Sequence, residues 1–327
     1  MRLHRFEHLQ PKSLAEACAI LAEHGDRARI IAGGTDIIPR MKQRLVEPQI
    51  LVDVKDVYGI GSIRSEGGEL IIGAVATLTD VHESRAIREA APALAEAAAA
   101  VGAAQLQNMG TIGGNLCLDT RCWYYNQTQA WRRTRAACRK VGGDACHMAP
   151  GGKRCYALYS GDSAAALLAL GARARIVSSQ GEREVPLEYF FVDDGKNPTV
   201  LRSDEILAEV VIPAPANGPR STYLKYRRRE AIDFPIVGVG AALNLENGIC
   251  REARVAITGV ASAPFLVWGA QAVLQGNRVS RELVDAVAEA AYKQAKPVSR
   301  TEVSPGYRKH LVRVLVKDAL SRLAGLV

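Results

Sequence analysis

Two short glycine–threonine motifs constrain this chain more than any other feature: IAGGTD at residues 31–36 and MGTIGGN at residues 109–115. Each pairs adjacent glycines with a threonine. Backbone N–H groups can then converge on one point without Cβ obstruction, and the hydroxyl adds a donor. The first motif also stands where a helix is expected to begin, at Asp36 with Pro39 in its first turn, and a helix N-terminus favours an anion. Two such loops suit the two phosphates of a pyrophosphate. The plainer reading is a pair of tight turns that need positive φ. Neither motif is G-x-G-x-x-G, and G-x-x-x-x-G-K-[ST] is missing, so a dinucleotide bound here requires a fold other than the Rossmann or P-loop types.

The surroundings of the motifs alternate helix and strand. Ser13 is a good N-cap for the helix SLAEACAILAEHG, which Gly25 closes. ARIIAGGTD reads as buried strand, turn and helix start, and ILVDV as a second buried strand, which suggests a small parallel α/β unit. LIIGAVATLTD follows as strand and turn, then a long alanine-rich helical region over residues 81–104. SAAALLALGA is helical, ARARIVSSQGEREVPLEYF is a hairpin turning at Gln180-Gly181, and ILAEVVIP is a strand. PAPANGP has linker composition and places a domain boundary at residues 213–219. Beyond it, strands turn at Asn247-Gly248 and helices dominate from about residue 280.

At 327 residues the chain suits two or three domains. Its N-terminus is interrupted by charges and reads as no signal peptide, and no apolar run is long enough to span a bilayer. With seven cysteines, an odd number, the expected setting is a reducing cytoplasm where clustered thiols favour metal over disulfide. The net charge of +8 is concentrated around residues 121–156, so it is weak support for a nucleic-acid partner. No hydrolase motif is present, and His4, His8, His24, His82 and His310 form no partner pattern.

The order AGGTD, GAVATLTD, NMGTIGGNL, GDSAAALLALGA and YLKYRRREAIDFP resembles the FAD-binding medium subunit of the molybdenum hydroxylases, the xanthine dehydrogenase and CO dehydrogenase group. The likeness runs through nearly the whole chain. It implies an α+β architecture: a two-subdomain FAD-binding fold of the vanillyl-alcohol-oxidase (PCMH) type over residues 1–216, with subdomains of about 1–56 and 57–216. A CO-dehydrogenase-flavoprotein-like α+β domain would follow over 217–327. Carried over by position, Arg29, Ile30, Ile31, Ala32, Gly33, Gly34, Thr35 and Asp36 would contact FAD, with Thr111, Ile112, Gly113, Gly114 and Asn115. Asp162 would sit near the ribose or adenine end, and Lys225 would reach back toward the cofactor.

Where most such proteins run from TIGGN almost directly into the GDSAAALLALGA helix, this chain carries an extra loop of about residues 120–160. It holds Cys122, Cys138, Cys146 and Cys155, with 15, 7 and 8 residues between successive cysteines. Loops of this length are uncommon in compact domains unless functional or disordered. Three readings fit the residues. Four thiolates could hold a [4Fe–4S] cluster whose negative charge the local Arg and Lys residues offset. The same thiolates, with His147 as a substitute, could hold zinc. Basic residues with Trp123, Tyr124, Tyr125 and Trp131 could contact a nucleic acid. The spacing matches neither a zinc knuckle nor a common ferredoxin run. A redox role in a flavin subunit favours the cluster, and within the family such a loop is similar to the β subunit of 4-hydroxybenzoyl-CoA reductase. That likeness implies partners: a molybdenum large subunit and a [2Fe–2S] small subunit in a dimer of heterotrimers, with ferredoxin as donor and no nucleic acid or membrane. The implied activity is reductive dehydroxylation of 4-hydroxybenzoyl-CoA. A conventional hydroxylase subunit passing electrons to NAD is the alternative. Cys18, Cys117 and Cys250 read as small buried hydrophobes.

Overall fold

The computed structural model describes residues 2–213, 220–299 and 303–326. Near the N-terminus Ile50–Asp53 is the middle strand of a three-stranded parallel sheet, flanked by Glu7–Leu9 and Ala28–Ile31. All four of its residues are buried, as expected of a central parallel strand rich in Ile, Leu and Val. The helix Leu14–His24 covers the sheet. Ser13 accepts from the Glu16 N–H at its start, and Gly25 ends it at a φ of +51°.

A five-stranded sheet follows in the order Ile63–Glu66, Glu69–Gly73, Ile206–Ile212, Arg173–Ser178, Gly181–Pro186, antiparallel throughout. The single long helix expected over 81–104 is instead four short ones: Leu78–Glu83, Arg85–Ala90, Pro92–Ala99 and Ala104–Gln107. The breaks have local causes. Ser84 stops one helix and caps the next through its hydroxyl, and Pro92, lacking an N–H, can only open a helix. The hairpin expected at Gln180-Gly181 turns one residue earlier, because Ser178 pairs with Gly181.

The C-terminal part is a four-stranded antiparallel sheet, Phe265–Leu266, Ile249–Thr258, Val237–Glu246 and Arg220–Tyr226 in that order, packed against the helices Arg281–Gln294 and Pro305–Ala324. Asn247 and Gly248 both take positive φ, +51° and +80°, as a two-residue type I′ hairpin requires. The linker expected at 213–219 falls, from 214 to 219, outside the described residues.

The helix Asp162–Ala169 joins these layers, and all eight of its residues are buried. It packs on Pro92–Ala99 and on the C-terminal sheet so closely that a Cβ on Gly240 would lie 2.3 Å from the Ala165 carbonyl oxygen. That packing brings the N-terminus of the helix against the strand Arg220–Tyr226.

Candidate functional site

The two glycine motifs meet. A Cβ on Gly33 would stand 1.6 Å from the Met109 carbonyl oxygen, so the approach is possible only for glycine. Gly34 turns the chain at a φ of +72° into the helix Ile37–Lys42. Beside this contact opens a cleft of about 1090 Å³, at the upper end of the usual ligand-pocket range. Arg29, Ile30, Ile31, Ala32, Gly33, Gly34, Thr35 and Asp36 all line it, as do Thr111, Gly113, Gly114, Asn115 and Asp162.

The motifs are not equivalent, although the sequence suggests two matching phosphate loops. Among the described residues, none accepts a hydrogen bond from the backbone N–H of Gly33, Gly34, Thr35 or Asp36, so the first loop presents a run of free donors. The second motif is a short helix, Ile112–Leu116, with Thr111 as its cap. Its amides are already used. Ile112 and Gly113 donate to the carbonyls of Ala76 and Ala74, Gly114 to the Thr111 hydroxyl and Asn115 to the Thr111 carbonyl. TIGGN therefore builds the wall, while AGGTD keeps the amides that could receive an anion.

Two expected contacts do not line the cleft. Ile112 is fully buried in the core, because the helical turn sends its side chain away from the opening. Lys225 lies behind the wall. Its ammonium is 3.0 Å from an Asp162 carboxylate oxygen and donates to the Ala100 carbonyl at 2.8 Å. It is buried, not a solvated edge-strand charge. Tyr223 donates to Asp162 at 2.7 Å. Burial raises the Asp162 pKa and lowers that of Lys225, with their mutual attraction opposing both shifts. Asn115 accepts from the Ser163 N–H at 3.0 Å, tying the second motif to the same helix start.

Several cleft residues escaped the sequence reading: Asp119 and Arg121 at the neck of the extra loop, and Ile232, Asp233 and Phe234 after the basic run. Cys117, expected as a buried hydrophobe, is exposed on the cleft wall. The signal available for Asp119 and Arg121 was their place directly after TIGGN. For 232–234 the signal was their place at the end of the YLKYRRREAIDFP motif.

The extra loop is ordered by short devices. Its neck is closed by reciprocal hydrogen bonds between Arg121 and Leu158, at 2.7 and 2.8 Å. Thr128 caps the helix Gln129–Arg133. Arg132 donates to the carbonyls of Gln43, Arg44 and Gln127, and the Tyr125 hydroxyl to that of Leu45 at 3.2 Å. The aromatic residues are largely committed to packing: Tyr125 is buried, and Arg135 stacks over both Trp131 and Tyr124. Cys122, Cys138, Cys146 and Cys155 line one small gap with Arg139, Lys140 and His147. Yet among the described residues no three His, Cys, Asp or Glu side chains are grouped closely enough to hold a single metal ion. Tetrahedral zinc would draw four sulfurs to about 3.8 Å from one another, given Zn–S bonds of about 2.3 Å. Four thiols lining one gap are the donor set that a four-thiolate cluster takes.

The family described as the FAD binding domain in molybdopterin dehydrogenase matches residues 4–215, and the CO dehydrogenase flavoprotein C-terminal domain matches 221–323. The chain belongs to the FAD-binding medium subunits of the molybdenum hydroxylase family. It is 29% identical over 317 residues to the carbon monoxide dehydrogenase medium chain of Hydrogenophaga pseudoflava, covering 97% of this chain and 96% of that one. It is 28% identical over 327 residues to the nicotinate dehydrogenase FAD-subunit of Eubacterium barkeri, covering 98% of each. The solved structure of carbon monoxide dehydrogenase from H. pseudoflava superposes with a TM-score of 0.82 at 28% identity over 98% of both chains. Quinoline 2-oxidoreductase from Pseudomonas putida 86 superposes at 0.79, with 26% identity over 99% of both. This family member is accordingly an FAD-binding subunit of an oxidoreductase. The free amides of AGGTD and the size of the cleft fit that cofactor. Among the described residues no helix is long and apolar enough to cross a membrane.

Proposed function

We propose that this chain is the electron-transfer subunit of a molybdenum reductase of the 4-hydroxybenzoyl-CoA reductase type, carrying a [4Fe–4S] cluster in addition to FAD. The observation that carries this reading is the convergence of Cys122, Cys138, Cys146 and Cys155 on one gap inside an ordered loop attached to the FAD domain. In this reading the backbone amides of Gly33, Gly34, Thr35 and Asp36 hold the FAD pyrophosphate. Arg29, Ile30, Ile31 and Ala32 form the cleft wall with Thr111, Gly113, Gly114 and Asn115. Lys225 holds Asp162 at the cleft edge, and Ile112 fixes the wall from behind. The four cysteine thiolates ligate the cluster. Bound there, FAD supplies one- or two-electron exchange and the cluster one-electron exchange.

The partners are a molybdenum-containing large subunit and a [2Fe–2S] small subunit in a dimer of heterotrimers, with ferredoxin as the donor, in the cytoplasm. The overall reaction balances as one phenolic hydroxyl, two electrons and two protons giving an aryl C–H and water. A second reading, a conventional hydroxylase subunit delivering electrons to NAD or another acceptor, is supported by relatives such as the nicotinate dehydrogenase FAD-subunit. Iron and acid-labile sulfide analysis of anaerobically purified protein, with a visible spectrum, separates the two. About four irons and four sulfides per flavin are expected, and Cys138→Ser should lower iron while leaving FAD in place. Flavin without iron, or iron unchanged in Cys138→Ser, refutes the cluster assignment. Co-purification with a molybdenum-containing chain, and turnover of 4-hydroxybenzoyl-CoA with reduced ferredoxin, tests the reaction.

A further inference from the structure

A continuous row of opposite charges connects the cysteine gap to the flavin cleft. Lys140 lines the gap, and its ammonium donates to Asp119 at 2.8 Å, to the Thr120 hydroxyl at 2.8 Å and to the Gly195 carbonyl. Only 5% of its side chain is exposed. The other Asp119 oxygen pairs with Arg40 at 2.9 Å, and Arg40 reaches Asp36 at 3.5 Å. Asp36, in the first glycine loop, also accepts from Arg121. Asp119, Arg40, Asp36 and Arg121 all line the cleft. The Tyr125 ring closes over Lys140 at 5.1 Å.

A lysine desolvated this far, held by three oxygens beside a thiol-lined gap, is more than a solvated surface charge. Surface pairs contribute little, whereas charges fixed out of water act strongly on their neighbours. We propose that Lys140 and Asp119 set the reduction potential of the centre held by the four cysteines, and that the row through Arg40 to Asp36 fixes that centre against the flavin loop. The inference rests on the cluster reading above. A cluster held by four thiolates is anionic and gains a further negative charge on one-electron reduction. The Lys140 ammonium therefore favours the reduced form, and the Asp119 carboxylate disfavours it. Both are positioning residues, since neither ligates the metal.

The test uses whole protein purified anaerobically as wild type, Lys140→Met, Lys140→Arg and Asp119→Asn. Iron, sulfide and FAD content are measured first, then the cluster potential by a mediated dithionite titration followed by EPR. Lys140→Met should lower the one-electron reduction constant about tenfold, about 59 mV, and Asp119→Asn should raise it by a similar factor. Lys140→Arg should stay within about threefold of wild type. A purely structural role would lose iron without opposite-signed shifts. Iron-replete variants with unmoved potentials, or with shifts of one sign, overturn the inference and leave the cluster reading intact. Iron lost from Lys140→Met, Lys140→Arg and Asp119→Asn alike also overturns it. If only Lys140→Met loses iron, the upward shift in Asp119→Asn decides. A wild-type protein without iron refutes both this inference and the reading beneath it.

Discussion

Replacing Gly33 by alanine should disable flavin binding without touching a polar group. The added Cβ would lie 1.6 Å from the Met109 carbonyl oxygen and 2.4 Å from its carbon, where ordinary contact begins at 3.4 Å. The two motifs would have to part by the difference, 3.4 − 1.6 = 1.8 Å. Both sides of the contact are backbone, so no rotamer change relieves it. Overpacking of this kind costs about 1–3 kcal/mol, and an opening of the loop moves the free amides of residues 33–36 off their target. If that cost falls on binding, FAD affinity should drop by about five- to 150-fold, since each factor of ten corresponds to about 1.4 kcal/mol. The melting temperature should drop by roughly 2–12 °C, at about 2–4 °C per kcal/mol. Flavin absorbance per chain, calorimetric melting and FAD titration of the apoprotein read these effects. Gly306→Ala is the control, because its Cβ meets nothing within 4 Å in the helix Pro305–Ala324. Gly33→Ala protein that purifies with full FAD and the wild-type melting temperature refutes the close-approach argument.

Other changes probe the support around the cleft. Lys225→Met strands the buried Asp162 carboxylate and should cost about 3–5 kcal/mol in urea unfolding, much of it recovered in the Asp162→Asn/Lys225→Met double variant. A single variant as stable as wild type would remove the pair from the account. Glu205, buried at the cleft, is held below its ordinary pKa of 4.5, chiefly by the hydrogen bond from Arg183. Its folded pKa is depressed, so the contribution is fully present above pH 4.5 and is lost as pH falls below that value through the folded pKa. Glu205→Gln should flatten the acid limb of stability against pH, measured by denaturant unfolding at successive pH values. An unchanged slope would assign that limb to other carboxylates.

How far the sequence could be read follows from how local each feature is. Ser13 and Gly25 bound their helix as expected, since capping depends on a few adjacent residues. Asn247-Gly248 turns where expected for the same reason. The alanine-rich stretch misled because alanine favours helix without saying where one stops; Ser84 and Pro92 decided that. The motif TIGGN looked like a second phosphate loop because glycine pairs signal free amides. Only the fold revealed that Ala74, Ala76 and Thr111 already occupy them.

The sequence by itself determined the family, the two glycine motifs and the presence of four clustered thiols, because each is written in the order and identity of nearby residues. Tertiary structure decided which donors remain free, that Lys225 serves Asp162 instead of lining the cleft, and that Cys122 through Cys155 face one gap. It also joined Lys140 to Asp36 across more than a hundred residues of chain. Burial and the pairing of charges depend on which segments the fold brings together, and that information belongs to no single stretch of the sequence.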